Sequence, residues 1–379
     1  MSAIDISTLR PAAVSRPADP ADEPAATGHA ARAGGPPFKT GPRISGLTVS
    51  DGEHVLSQDQ VLDRLGLRGD EFAEGIFARC GVKRRHLELD DDFLGRDLQG
   101  RAAEVEQRLM RHSIRAVDAL ELDAPKIGTV LSSSLYSLGL PTIAHRLVDH
   151  YEMDPTTDKY HVTGVACASA VPLMRMAAGT LHQHPGRDCL IVGAESMSSI
   201  LTRATEDDPR AKTVGASIFG DGCAAAVLSA DPGADGPMVL ATQVHQIGGT
   251  LDAVSLALSK QDAYLHLVRE LPELAGAGLP GVAEKFLRRN GVKHAEIDHW
   301  MVHPGGRRII ENIQSALGLS DEQTATSWDA LANHGNVGTP SIFYVLKDTI
   351  ERYRPQPGER GLAVTIGPGV TVGLMLLQW

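Results

Sequence analysis

The sequence predicts an α/β protein assembled from two similar halves. From about residue 41, short apolar runs alternate with longer amphipathic stretches. The Pro-Gly-Ala-Asp-Gly-Pro stretch at 232–237 reads as a linker. The pattern before that linker recurs after it, the mark of an internal duplication. The 379 residues suffice for one large unit or two medium ones. With 42% apolar and 22% charged residues, the chain can bury a large core without staples. Aromatic residues make up only 4%, so that core must rest on Ala, Val, Leu and Ile.

Residues 1–40 are rich in Ala and Pro, and Phe38 is their one aromatic. Such a stretch cannot bury enough apolar surface to order itself and reads as a disordered tail. In the first half, residues 41–235, an apolar run from Ile127 ends in serines at Ser134, and a helix spans Pro141 to Tyr151. A strand from Tyr160 to Val165 meets the small-residue turn Gly164-Val165-Ala166-Cys167-Ala168-Ser169, which opens an apolar helix through Leu181. Strands follow at Asp188–Ala194 and Cys223–Ser229. In the second half, residues 236–379, the run Trp300-Met301-Val302 ends in His303-Pro304-Gly305-Gly306 and leads to a helix through Leu317. The turn His334-Gly335-Asn336-Val337-Gly338 opens another apolar helix, and strands at Gly361–Ile366 and Thr371–Leu377 close the chain. If the halves match about a pseudo-twofold axis, the Cys167 and Asn336 turns occupy equivalent central places. His303 then arrives beside them from a strand end.

The formal net charge of −11 excludes a general nucleic-acid binder, which needs a positive surface. No apolar run is long enough to span a bilayer, so no membrane partner is expected. No basic segment followed by an apolar stretch marks a secretory leader, and none of the four cysteines forms a CxxC pair. Reduced thiols and a cytoplasmic location are the expectation. Metal-site spacing is absent too: there is no HExxH, and neither His182 with His184 nor His145 with His150 suits one helical face. No metal is expected.

Cys167 stands where a strand gives way to a helix. A thiol there feels the positive end of the helix macrodipole, which lowers its pKa and enriches the nucleophilic thiolate. Ala166, Ala168 and Ala170 keep bulk away from it. The competing reading is a buried structural cysteine, the reading adopted for Cys189, Cys223 and Cys80. His303 is followed by glycines that permit a ligand near the backbone, or it is simply a satisfied polar residue. Asn336 either serves the site or caps the helix after it. His334, two residues earlier, competes as the second catalytic group.

Taken together, Gly-Val-Ala-Cys167-Ala-Ser, Ile218-Phe219-Gly220-Asp221-Gly222, His303-Pro-Gly-Gly, His334-Gly-Asn336 and Ile366-Gly-Pro-Gly-Val370 resemble, in order and spacing, the type III polyketide synthases of the thiolase superfamily. The resemblance covers about residues 41–379. It implies a thiolase-like fold, two duplicated α/β halves in a five-layered αβαβα arrangement, and a homodimer. It places the catalytic triad on Cys167, His303 and Asn336. The Cys167 thiolate, held as an ion pair by His303, takes an acyl group from a thioester. A malonyl thioester then loses carbon dioxide while His303 and Asn336 stabilise the enolate, and the carbanion attacks the acyl group. Acyl-CoA and malonyl-CoA, or acyl carrier protein thioesters, are the implied substrates, with no bound cofactor.

The resemblance also assigns the substrate cavity. Gly367, Pro368 and Gly369 shape its wall, and Ser133, Gly305 and Gly306 adjoin it. Counting six residues from Glu195 puts Leu201 at the gatekeeper position, where plant members carry Phe, and that points to aliphatic acyl chains. Leu140 takes the place of the residue that reaches across the dimer. Of the family's basic coenzyme A residues only Arg79 remains, with Phe72 and Gly75 at two other positions. Arg307 and Arg308 offer replacement charge for a pyrophosphate or a carrier phosphopantetheine. Phe219 is read as a packing residue. The alternative function is an initiating ketoacyl synthase-like acyltransferase that moves the acyl group to an alcohol, amine or carbon nucleophile. A silent dimerisation partner is disfavoured by the intact trio, and a degradative thiolase by the lack of any cysteine after Cys223.

Overall fold

The computed structural model describes residues 41–137, 139–205, 208–258 and 263–379. The tail expected at 1–40 lies outside the described residues.

The first half runs in chain order through strands β1 (Arg43–Asp51) and β2 (Val55–Ser57), helices α1 (Gln58–Arg64) and α2 (Glu71–Arg79), and strand β3 (Arg84–His86). Helices α3 (Asp91–Gly95) and α4 (Leu98–Asp118) follow, then β4 (Ile127–Ser133), α5 (Ile143–His150), β5 (Asp158–Val162), α6 (Ala170–Thr180), β6 (Asp188–Glu195), α7 (Arg210–Ile218) and β7 (Gly222–Ser229). The second half contributes β8 (Met238–Gln246), β9 (Val254–Leu258), β10 (Ala263–Leu267), α8 (Leu271–Arg289), β11 (His299–Val302), α9 (Arg307–Leu317), α10 (Ala325–His334), α11 (Ser341–Tyr353), β12 (Arg360–Gly367) and β13 (Thr371–Gln378). Local chemistry sets several starts. Ser57 and Gln60 form a reciprocal capping box on α1, and Asp70 and Asp97 cap α2 and α4 through their carboxylates.

The strand order repeats. In the first half β4 is parallel to β6, which is antiparallel to β7, which is antiparallel to β1. In the second half β11 is parallel to β12, which is antiparallel to β13, which is antiparallel to β8. The two sheets meet edge to edge through the single pair Arg43↔Met238, beside the linker that joins β7 to β8.

Five layers follow from which face each strand residue buries. Cys189 and Ile191 of β6, with Met375 and Leu377 of β13, pack inward on α6 and α11 in one core. The alternate residues Leu190 and Val192 pack outward with α4 and α5. On the opposite side, Leu374 and Leu376 pack outward with α8 and α9. Strands buried on both faces explain the nearly continuous apolar runs of the sequence. Helices α6 and α11 thus lie side by side between the sheets, and each is entered through one of the two turns singled out above.

Candidate active site

The Cys167 turn is built by backbone constraint. Strand β5 ends at Val162, short of the expected Val165, because Gly164 turns the chain at φ +81°. A single 3₁₀ turn, Ala166–Ala168, then leads into α6, with Ala166 held at φ +45°. A left-handed alanine costs on the order of 1 kcal/mol or more and persists only where its surroundings over-determine it. Those surroundings are visible: Thr339 Oγ1 donates to the Ala166 carbonyl at 3.0 Å, and Gly367 abuts the turn so closely that an added Cβ would stand 2.6 Å from the Cβ of Ala168.

The Asn336 turn is fixed by mutual close approach. Asn336 and Phe219 form a parallel bridge, with Asn336 N donating to Ile218 O at 2.7 Å and Gly220 N donating to Asn336 O at 3.1 Å. A Cβ on Gly220 would meet His334 O at 2.3 Å, and one on Gly335, at φ +70°, would meet Ile218 O at 2.4 Å. Only glycine fits at either place. Asn336 Oδ1 accepts from Gly338 N at 2.9 Å and lies 3.7 Å from Cys167 Sγ. Its oxygen is thereby occupied, and the amide nitrogen is the group left to donate.

His303 follows β11, its backbone N donating to Val364 O at 2.8 Å. The side chain is buried, and neither ring nitrogen has a hydrogen-bond partner among the described residues. Cys167, His303 and Asn336 all line one narrow cavity of about 60 Å³, together with Gly305, Gly367 and Pro368. The rest of its wall is apolar: Ile218, Phe219, Val254, Leu265, Leu267 and Ile309 among others.

The electrostatics differ from the expectation of a thiolate–imidazolium pair. Burial, with Glu195 adding to it, pushes the Cys167 thiol up to about 12, and burial pushes His303 down to about 3. A rise from 9.0 to about 12 is worth roughly 4 kcal/mol, beyond the ~2 kcal/mol upper range of a helix terminus. Burial thus outweighs the macrodipole and pushes both groups toward their neutral forms. Glu195 is itself buried, accepts from Leu135 N at 2.9 Å, and is pushed up to about 7 by desolvation.

The remaining predicted site residues lie elsewhere. Leu201 does not reach the cavity; it packs with Leu62, Leu65 and Leu87. The chain leaves β6 through the 3₁₀ turn Met197–Ile200, and it is Met197 and Ile200 that pack with Ile218 and Phe219. Phe219 is a wall residue, not merely a packing residue. Ser133 lies behind the cavity, its Oγ 3.5 Å from Thr339 Oγ1. Gly306 starts α9, and Gly369 faces Gln246. Leu140 is 86% exposed. Arg308 pairs with Glu273, Arg307 with Glu311, and Arg79 is exposed with its guanidinium folded over Gly75. His334 turns away from the cavity and bonds Asp51 at 2.9 Å. The β9–β10 hairpin, which supplies Val254, Leu265 and Leu267, escaped the sequence reading although both strands alternate with period two.

The family model described as FAE1/Type III polyketide synthase-like protein matches residues 75–298, and that of the chalcone and stilbene synthases, C-terminal domain, matches 238–379. The alpha-pyrone synthesis polyketide synthase-like Pks18 of Mycobacterium tuberculosis is 31% identical over 360 residues, covering 88% of this chain and 90% of that protein. The 3,5-dihydroxyphenylacetyl-CoA synthase of Amycolatopsis balhimycina is 29% identical, covering 89% of this chain and 93% of that protein. Among solved structures, PKS-I from the brown alga Ectocarpus siliculosus superposes with a TM-score of 0.81 at 26% identity, covering 90% of this chain and 99% of its own. The 1,3,6,8-tetrahydroxynaphthalene synthase of Streptomyces coelicolor reaches the same TM-score at 23% identity with the same coverage, a likeness of fold.

Proposed function

The chain belongs to the type III polyketide synthase family, and from that premise we propose that it carries out decarboxylative condensation of a malonyl thioester with an acyl group held on Cys167. The observation that carries this reading is the convergence of Cys167, His303 and Asn336 on one apolar cavity. Acylation begins with transfer of the thiol proton to His303, whose unpartnered ring can receive it. The sulfur attacks the acyl thioester carbonyl and the carrier thiol leaves with a proton. The malonyl thioester then loses carbon dioxide; the electron pair moves onto its carbonyl oxygen, where His303 and the Asn336 amide donate hydrogen bonds. The enolate carbon attacks the acyl carbonyl, and Cys167 is released.

The substrates are CoA thioesters, and the aliphatic wall fits an aliphatic acyl starter. The ketoacyl synthase-like transfer to an alcohol or amine is disfavoured, because it forms no enolate for the Asn336 amide to hold. We place the boundary between the halves at 235/236, just before β8. We also place the protein as a homodimer with Leu140 at the interface, on the strength of the family resemblance; its 86% exposure leaves the side chain available for such a contact. No described helix is long and apolar enough to cross a membrane. All four cysteines are free, which supports the cytoplasm as the working compartment.

The test is incubation of the purified chain with a panel of acyl-CoA starters and malonyl-CoA labelled in the methylene carbon. A product that carries the label, with one carbon dioxide released per extension, supports the reading. Acyl transfer with no label in any product overturns it.

A further inference from the structure

Behind the Asn336 turn lies a second concave site with its own chemistry. It is an open basin of about 820 Å³ that shares no lining residue with the Cys167 cavity. Three side chains from distant parts of the chain meet there: Asp51 at the end of β1, His86 at the end of β3, and His334 at the end of α10. One ligand atom from each lies within 4.8 Å of the others, a spacing that could hold a metal ion. His334 Nδ1 is 2.9 Å from Asp51 Oδ1, and His86 Nε2 is 3.7 Å from Asp51 Oδ2. Two ligands of a tetrahedral zinc ion at the usual bond lengths stand about 3.3 Å apart, between those two values.

The surrounding bonds orient the donors. His86 Nδ1 is 2.8 Å from the Gly52 carbonyl, which can only accept, so Nδ1 carries a proton and Nε2 is the nitrogen turned toward Asp51 that an ion would take. A backbone carbonyl holding the far nitrogen of a ligating histidine is the usual outer-shell arrangement. Tyr344 Oη donates to Asp51 Oδ1 at 3.0 Å and fixes the carboxylate. The two imidazole rings are stacked nearly parallel, at 15°, with centroids 6.0 Å apart, and both line the basin. Its rim adds Asp329, Asp348 and Glu351 against Arg84 and Arg352; Arg352 is paired with Asp329 and Lys347 with Glu351, which leaves Asp51 and Asp348 against Arg84. The excess of carboxylates attracts a cation.

We propose that Asp51, His86 and His334 form a binding site for a divalent transition metal ion of the zinc class, with the open coordination position facing the basin. Two imidazoles and one carboxylate are the donor set that such ions prefer over calcium or magnesium, which take oxygen ligands. The ion replaces the proton shared between His334 Nδ1 and Asp51. The site is separate from the condensation chemistry but bonded to its scaffold: His334 is two residues from Asn336, and the His86 carbonyl accepts from Asp221 N at 2.8 Å, next to the Gly220 that pairs with Asn336.

The test uses the full chain, stripped with a chelator and titrated with Co²⁺ as a spectroscopic stand-in for zinc. One equivalent should bind with visible d–d absorption and be displaced by Zn²⁺. His86→Gln and Asp51→Asn should each weaken binding by about 100-fold or more, the upper end of what loss of a mere outer-shell partner costs. Proton NMR of the wild-type Co²⁺ form should show two hyperfine-shifted, solvent-exchangeable histidine N–H signals, a readout that needs no variant. Absence of saturable binding, a thiolate-to-cobalt charge-transfer band, absence of the shifted histidine signals, or an affinity unchanged in both variants would overturn the proposal.

Discussion

Replacing Gly367 by alanine perturbs the nucleophile without touching it. A Cβ on Gly367 would stand 2.6 Å from the Cβ of Ala168, 2.8 Å from its backbone nitrogen and 3.0 Å from the Val165 carbonyl oxygen. Carbon atoms rest at about 3.5–4.0 Å, so one side must give way by roughly 1 Å. Gly367 is the last residue of β12, paired with Thr371 of β13 but past the end of the β11 pairing. The Cys167 turn is a single 3₁₀ turn already carrying a left-handed alanine. The turn is the part that moves, and Cys167 moves with it. A misplacement of about 1 Å costs a reacting group about 100-fold in rate, while overpacking of this kind costs roughly 1–3 kcal/mol in stability. The assay is single-turnover acylation of Cys167 by an acyl-CoA, followed by intact mass, with urea denaturation beside it. The expected result is a folded Gly367→Ala protein that acylates about 100-fold more slowly. A folded variant that acylates as fast as the wild type would refute the packing argument for this turn.

Asn336→Ala should lower the condensation rate by about 100- to 1000-fold, the usual cost of one oxyanion donor, while leaving Cys167 acylation nearly unchanged; comparing the acyl-enzyme burst with product formation separates the two steps. With the thiol raised to about 12, alkylation of Cys167 in the free enzyme by iodoacetamide should climb about tenfold per pH unit up to roughly pH 10. A plateau reached near neutrality would show a resting thiolate instead. Glu195 holds its proton more tightly in the folded chain (about 7) than in the unfolded one (4.5), so its contribution to stability is fully present below the lower value and is lost as pH rises through the higher. The stability difference between wild type and Glu195→Gln should therefore change by about 2–3 kcal/mol between pH 5 and pH 8 in urea titrations, to the disadvantage of the wild type at the higher pH.

The α/β layering was legible because its cause is local: runs such as Asp188–Glu195 are apolar on both faces and punctuated by turn residues. The recurrence of a small-residue turn before each central helix placed Cys167 and Asn336 opposite one another. Other features depend on contacts that no spacing reports. Counting six residues past Glu195 reached Leu201, because a 3₁₀ turn after β6 redirects the chain and turns that side chain away from the cavity. Phe219 was assigned to packing, yet its bridge to Asn336 places it on the cavity wall. The helix start at Cys167 is visible in sequence, but the burial that pushes its thiol up is not. Asp51 and His334, 283 positions apart, share no motif and meet only because β1 and α10 converge on one rim.

At the centre of the account is one cysteine that both accepts an acyl group and surrenders it to a malonyl-derived carbon. Peptide mapping after loading with an acyl-CoA, followed by a chase with malonyl-CoA, tests this directly. The account predicts the acyl mass on the Cys167 peptide, its disappearance in step with carbon dioxide release, and its recovery in a product extended by two carbons. Acyl label that stays on Cys167 while extended product accumulates, or that leaves Cys167 with no carbon dioxide released, would contradict it.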